Sequence, residues 1–213
     1  MFTLDSRHIY RVPQWDVHDW LAHGFGTRLS DIPALIGRLA TVKQIHSADC
    51  VVAGGRIGVL GQADALVENT PGTAIAVKTA DCIPILLVDP KLRVVAAVHA
   101  GWRGTAARIA ENALATMRGR FGTDPAGVEA AIGPGIGECC YEVGPEVAEQ
   151  FGRTGRVRLD LASISRTQLE AAGLDPGRIY VSGLCTMCNA DEFHSFRRDR
   201  EEAGRMYSFI GLR

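Results

Sequence analysis

Two apolar runs, IPILLV ending at Val88 and RVVAAV beginning at Arg93, constrain the fold of this chain more than any other feature. Only Asp89-Pro90-Lys91-Leu92 separates them, and Pro90 suits the first central position of a tight turn, so they read as antiparallel arms of a β-hairpin. A turn centred on Pro90-Lys91 pairs Val88 with Arg93, Ile83 with Val98 and Cys82 with His99. Directly opposed side chains have Cβ atoms about 4.5–5.5 Å apart, close enough for a thiolate and an imidazole to share one metal ion. Taken singly, Cys82 reads as a small buried hydrophobe and His99 as a core histidine with its ring satisfied. Facing each other where strands give way to loops, they read as a site. Pro84 cannot donate to the ladder, so the pairing is expected to open, or to run along a sheet edge, nearby.

Around the hairpin, short β-rich runs fill the first half: Thr41–Ile45, Asp49–Ala53, Ala63–Val67 and Thr73–Val77. After Gly101 the period turns helical, with Ala106, Ile109, Ala110, Ala113 and Met117 on one face and Gly122 and Pro125 as the stop. A strand near Val128–Ile132, helices near Pro145–Phe151 and Ala162–Ala172, and strands at Ile179–Val181 and Arg205–Ile210 follow. The expected class is α/β or α+β with mixed sheets, as one domain over residues 1–213. The Gly-rich stretches Gly54–Gly61 and Gly133–Gly137 read as irregular.

With 23 basic against 24 acidic residues there is no field to gather nucleic acid or an anionic membrane, so a small-molecule partner is expected. The opening MFTLDSRHIYRV lacks a signal-peptide pattern and no apolar run approaches the roughly 20 residues of a membrane span, which points to the cytoplasm. Six cysteines at irregular spacing are too few for a disulfide scaffold and read as thiols or metal ligands.

A Cys-His pair needs a further ligand to hold a divalent ion. Among His8, His18, His23, His46 and His194, His46 is the best placed, between the strand ending at Ile45 and a sharp Ser-Ala-Asp; His194 comes second. Two imidazoles and a thiolate leave a tetrahedral ion one open position, the pattern of a catalytic site. Asp81, next to Cys82, either orients a water there or stabilises a turn.

The blocks KQIHSAD, KTADCIPILLVD, VHAGWRGTAARI, AIGPGIGECCYEVG and LCTMCNADEFHSFRR together resemble the YfiH-like laccase-domain family, formerly called multicopper polyphenol oxidases. The likeness extends from His23 to Gly211. The resemblance implies zinc held by His46, Cys82 and His99, and a layered fold similar to the cytotoxic necrotising factor deamidases. It also implies phosphorolysis of adenosine, inosine, guanosine or methylthioadenosine to base and sugar 1-phosphate, with adenosine deamination beside it. Zinc would supply hydroxide at neutral pH by lowering the pKa of a bound water to about 7. Phosphate would need an anion site, for which the GWRGT segment and Arg103 are candidates, with Gln44 and Arg28 as further substrate contacts. The N-terminal block ending at Arg28 lacks the Gly-Gly-Val-Ser that often follows it in the family, a departure that bears on the substrate pocket.

A true laccase feeds its copper cluster with paired H-x-H motifs, and none of the six histidines here forms one. Copper could still replace zinc at the same donors. The rival chemistry is amide hydrolysis, by a metal-free Cys82-His99 pair or by zinc, as in the editing of peptidoglycan precursors. The pair Cys185 and Cys188 forms a C-x-x-C with no second C-x-x-C to complete a four-cysteine site, and Cys139-Cys140 read as structural turn thiols. A monomer or weak homodimer is expected.

Overall fold

The computed structural model describes residues 1–213. Its strands are Thr3–Leu4 (β1), Ile9–Arg11 (β2), Leu21–Gly26 (β3), Leu39–Lys43 (β4), Cys50–Val52 (β5), Gly58–Gln62 (β6), Ala65–Glu68 (β7), Ala74–Thr79 (β8), Ile83–Asp89 (β9), Val94–Ala100 (β10), Glu129–Ile132 (β11), Glu142–Val143 (β12), Val157–Arg158 (β13), Ile179–Val181 (β14) and Met206–Leu212 (β15). Its α-helices are Ile32–Leu35 (α1), Trp102–Ala106 (α2), Ile109–Phe121 (α3), Pro145–Ala148 (α4), Leu161–Ala171 (α5) and Phe196–Asp199 (α6). One sheet runs β1-β2-β3-β15-β8-β4-β6 and a second β14-β11-β9-β10-β7-β5, both of mixed direction; β12 and β13 pair apart.

The sheets pack face to face; α3 and α5 cover the outer face of the second, and Ile32 of α1 packs on the outer face of the first. Alternation along β9 and β10 explains this layering. Leu86, Val88, Val95 and Ala97 point to the first sheet, where they meet Phe25, Val42, Ile75, Val77 and Ile210. Ile83, Ile85, Leu87, Val94, Ala96 and Val98 point the other way, onto Ile109, Ala113, Met117, Leu161 and Leu169 of α3 and α5. Burial on both faces is why these strands read as unbroken apolar runs instead of alternating ones.

The hairpin forms with a register two residues away from the expected one: Asp89 pairs with Val94, Pro84 with His99 and Ile83 with Ala100. The loop takes all of residues 90–93. The Asp89 carboxylate accepts from the N–H groups of Lys91 and Leu92, each at 3.0 Å, and Arg93 turns left-handed at φ 53°. A two-residue shift keeps every side chain on its face, so Cys82 and His99 still share one side but meet diagonally. Pro84 is on a central strand, not an edge. Its carbonyl takes the Gly133 N–H at 2.9 Å while the pairing of β9 with β11 ends at Ile132, so the ladder opens beside the site on that flank alone.

Three further expectations change. The helix expected from Ala106 is broken: α2 ends, Arg108 adopts φ 62°, and α3 starts at Ile109. Gln168 Nε2 takes the Thr105 carbonyl at 2.9 Å, so one α2 carbonyl is satisfied outside the helix. The stretch Gly54–Gly61, expected as irregular, contributes to β6 at the exposed edge of the first sheet. Finally β3, LAHGFG, is a strand between β2 and β15 whose two glycines hide its β character; a Cβ on Gly24 would lie 2.4 Å from Ile9 and 3.0 Å from Phe209.

Candidate active site

His99, on β10 in step with Val95 and Ala97, points between the sheets at their open end and is 4% exposed. Cys82 sits in the tight connection from β8 to β9, and His46 follows β4 of the first sheet. The second sheet thus supplies His99, and the two connections that cross between the sheets supply His46 and Cys82. The ligand atoms of His46, Cys82 and His99 all lie within 4.8 Å of one another. His194, the second candidate, is elsewhere, its ring covering Gly204.

The group that sequence reasoning missed is Asp64. Wholly buried just before β7, its carboxylate accepts from His99 Nδ1 at 2.8 Å. It also takes the N–H groups of Ile45, His46 and Ser47 at 3.2, 3.0 and 2.6 Å, and the Ser47 hydroxyl at 2.9 Å. Three successive N–H groups aimed at one carboxylate hold His46 at φ 60°, a left-handed conformation rare outside glycine. One carboxylate therefore fixes the loop of one imidazole and the ring of the other, leaving His99 Nε2 as the ligand nitrogen. Its only sequence signal was an acidic residue opening an apolar strand, ADALV.

Gly101 completes the seat. A Cβ there would stand 3.0 Å from Cys82 Sγ and 3.2 Å from His46 Cδ2, so any side chain at this position would press on both ligands.

The electrostatics follow from the geometry. Burial raises the Asp64 pKa, but hydrogen bonds from His99 and Ser47 outweigh it and hold the group down to about 2. Burial raises Cys82 too, yet His46 and His99 bring its thiol down to about 6. Burial disfavours a charged His99, while Asp64 and Cys82 more than compensate and lift it to about 9. Free of metal, each shift favours the charged form of its group, thiolate on Cys82 and imidazolium on His99. This soft-and-borderline donor set, one sulfur and two nitrogens with a bonded carboxylate behind one ring, fits a divalent transition metal.

A cavity of about 690 Å³ opens over the three residues. His46 is exposed, Cys82 half-buried and His99 buried, so the fourth side of the donor set faces this cavity. Lys43, Lys78, Arg103, Arg197, Arg200 and Arg205 line it, none of them in a salt bridge, together with Trp102, Tyr141 and Phe196. Arg103 lies over the Trp102 ring at 4.2 Å and Arg197 over Tyr141 at 5.2 Å.

The other expected contacts divide. Gln44 lines the cavity, but its amide clasps the backbone of Lys78, accepting from its N–H at 2.8 Å and donating to its carbonyl at 2.7 Å. Asp81, at φ 85°, is buried and accepts from Thr186 Oγ1 and from the Arg197 N–H, both at 2.6 Å, so each of its oxygens has a protein donor. Arg28 is outside the cavity lining and donates to the Ala190 carbonyl at 2.8 Å. The GWRGT segment is the N-cap and first four residues of the five-residue α2, separated from α3, so the macrodipole of the longer helix does not reach it.

This architecture recurs in known proteins. Residues 27–213 match the family model described as multi-copper polyphenol oxidoreductase laccase, and the chain belongs to that family. Among its relatives, a purine nucleoside phosphorylase of Deinococcus radiodurans is 42% identical over 183 residues, 81% of this chain and 70% of that protein. The purine nucleoside phosphorylase YlmD of Geobacillus stearothermophilus is 40% identical over 70% of this chain and 60% of its own length. A protein named adenosine deaminase RL5, from an unknown prokaryotic organism, is 40% identical over 69% of this chain and 61% of its own. The crystal structure of YlmD from Geobacillus stearothermophilus superimposes with a TM-score of 0.92 at 29% identity, covering 100% of this chain and 98% of that one. No helix is long and apolar enough to cross a membrane.

Proposed function

We propose that this chain is a zinc-dependent purine nucleoside phosphorylase, converting adenosine, inosine, guanosine or methylthioadenosine and phosphate to base and sugar 1-phosphate, with adenosine deamination as a second activity. The observation that carries this reading is the opening of a three-ligand donor set into a cavity lined by six cations outside any salt bridge. Relatives named purine nucleoside phosphorylase and adenosine deaminase support it.

In this reading His46, Cys82 and His99 hold zinc, which supplies Lewis acidity and an acidified water at the cavity floor. Asp64 accepts from His99 Nδ1 and so keeps the ring in the neutral tautomer whose Nε2 is free to bind. The rim arginines and lysines bind phosphate and neutralise charge as the glycosidic bond breaks, while Trp102, Tyr141 and Phe196 offer faces for the purine. With both Asp81 oxygens accepting from protein donors, its part is to position Cys82 and the 186–197 segment.

A second reading rests on one observation, the line Asp64–His99–Cys82. A thiolate beside an imidazole oriented by a carboxylate is also the arrangement of a cysteine amidohydrolase. Incubating the protein with adenosine in phosphate and resolving the products separates the readings. Adenine with ribose 1-phosphate is expected and inosine marks deamination; inertness to nucleosides with metal-free activity on an amide substrate would put the amidohydrolase in its place.

A further inference from the structure

We infer that Cys139, Cys140, Cys185 and Cys188 form a second metal site, a closed tetrahedral zinc tetrathiolate distinct from the His46–Cys82–His99 centre. The C-x-x-C that lacked a partner motif in the sequence finds one in the adjacent pair Cys139-Cys140. The loops following β11 and β14 bring them together. Their four sulfurs all lie within 4.8 Å of one another. Cys188 Sγ is 3.7 Å from Cys139 Sγ and 3.4 Å from Cys140 Sγ. A zinc ion bonded at about 2.3 Å to each of four sulfurs places them roughly 3.8 Å apart, so one ion fits with little movement. A disulfide needs about 2.05 Å between sulfurs, well inside the observed separations.

The backbone around the sulfurs is already folded into tight, hydrogen-bonded turns. The N–H of Gly137 reaches Cys185 Sγ at 3.3 Å, a donor of the kind a metal-bound thiolate accepts. Asn189 closes that turn, its N–H and its side-chain amide both donating to the Cys185 carbonyl at 3.1 and 2.8 Å. The Arg198 guanidinium, ion-paired with Asp199, donates to the carbonyls of Thr186 and Met187, each at 3.2 Å, and so holds the turn between Cys185 and Cys188. Binding takes one zinc ion, releases one proton from each of four thiols and changes no oxidation state.

The site has a structural consequence for the first one. Gly135 bridges to Cys185, Ile136 donates to the Asp81 carbonyl at 2.8 Å, and Thr186 donates to the Asp81 carboxylate. An ion joining these loops braces the wall of the cavity from outside, with no open position for substrate.

The test uses the full chain and its His46→Ala variant, which removes a ligand of the first centre only. Elemental analysis should give two zinc ions in the wild type and one in His46→Ala. Cobalt loaded into His46→Ala should show the intense visible thiolate charge-transfer bands of a four-sulfur site, and Cys139→Ser, a change at an exposed position, should lose them. Zinc should leave this closed site at least roughly tenfold more slowly to a chelator than it leaves the three-ligand centre. A His46→Ala chain without metal, whose cysteines all alkylate freely, would overturn the site, and so would iron in place of zinc or a disulfide between Cys140 and Cys188 in protein isolated under reducing conditions. None of these outcomes depends on nucleoside chemistry.

Discussion

The Asp64 carboxylate holds His99 Nδ1 at 2.8 Å and, with the same two oxygens, the backbone N–H groups of Ile45, His46 and Ser47. One wholly buried side chain thus organises both imidazoles of the centre from behind. Replacing such a partner of a metal-binding histidine ordinarily costs 10–100-fold in metal affinity. Asp64→Asn also turns an amide N–H toward donors that need an acceptor. The variant is expected to bind zinc about 100-fold more weakly, read by competition with a chromophoric chelator, and wild-type affinity would remove Asp64 from this role.

Gly101→Ala isolates the steric part of the seat. The backbone at Gly101 has φ −74°, open to any residue, so the added methyl acts only through its contacts with Cys82 and His46. Far-UV circular dichroism should be unchanged while zinc affinity falls about tenfold or more. Unchanged affinity would show that the ligands yield at no cost.

His23 gives a pH dependence independent of the metal. Burial is the main cause that takes its pKa down to about 3, and its Nε2 accepts the Val12 N–H at 3.0 Å, which requires the neutral ring. The folded pKa is below the unfolded one, so the contribution is complete above pH about 6.5 and is lost as pH falls toward 3. Within that window the wild type should lose about 1.4 kcal/mol per pH unit from this group in denaturant titrations, and His23→Gln should flatten the slope. An equal slope in both proteins would assign the loss to other groups.

How much of this was legible in the sequence depends on range. The hairpin and the face shared by Cys82 and His99 came from alternation and a turn, which are local. Its register slipped because Asp89 hydrogen bonds and a left-handed Arg93 lengthen the loop, and turn type is set by side-chain chemistry finer than the presence of a proline. Asp64 and the four-cysteine cluster escaped because their partners are distant in the chain: Asp64 lies 35 residues from His99, and Cys139 lies 49 from Cys188. Burial of a carboxylate is invisible until the fold places its donors. The strand β3 escaped because its glycines serve close packing, which no propensity registers.

The cationic rim yields a kinetic prediction. Lys78 and Arg205 line the cavity without a carboxylate partner, and each contributes through partly screened charge. The double change Lys78→Ala with Arg205→Ala should raise KM for phosphate roughly three- to tenfold, with a smaller change in kcat and a weaker dependence on salt. An unaltered KM for phosphate would place the anion elsewhere.

The most direct test of the three-ligand centre compares zinc content and nucleoside phosphorolysis in wild type and His46→Ala. His46 is exposed, so the fold should survive its loss. The expected result is one zinc ion fewer per chain and no ribose 1-phosphate from adenosine and phosphate. A variant that kept its full zinc content and its full rate of phosphorolysis would contradict the assignment of His46, Cys82 and His99 as the catalytic metal site.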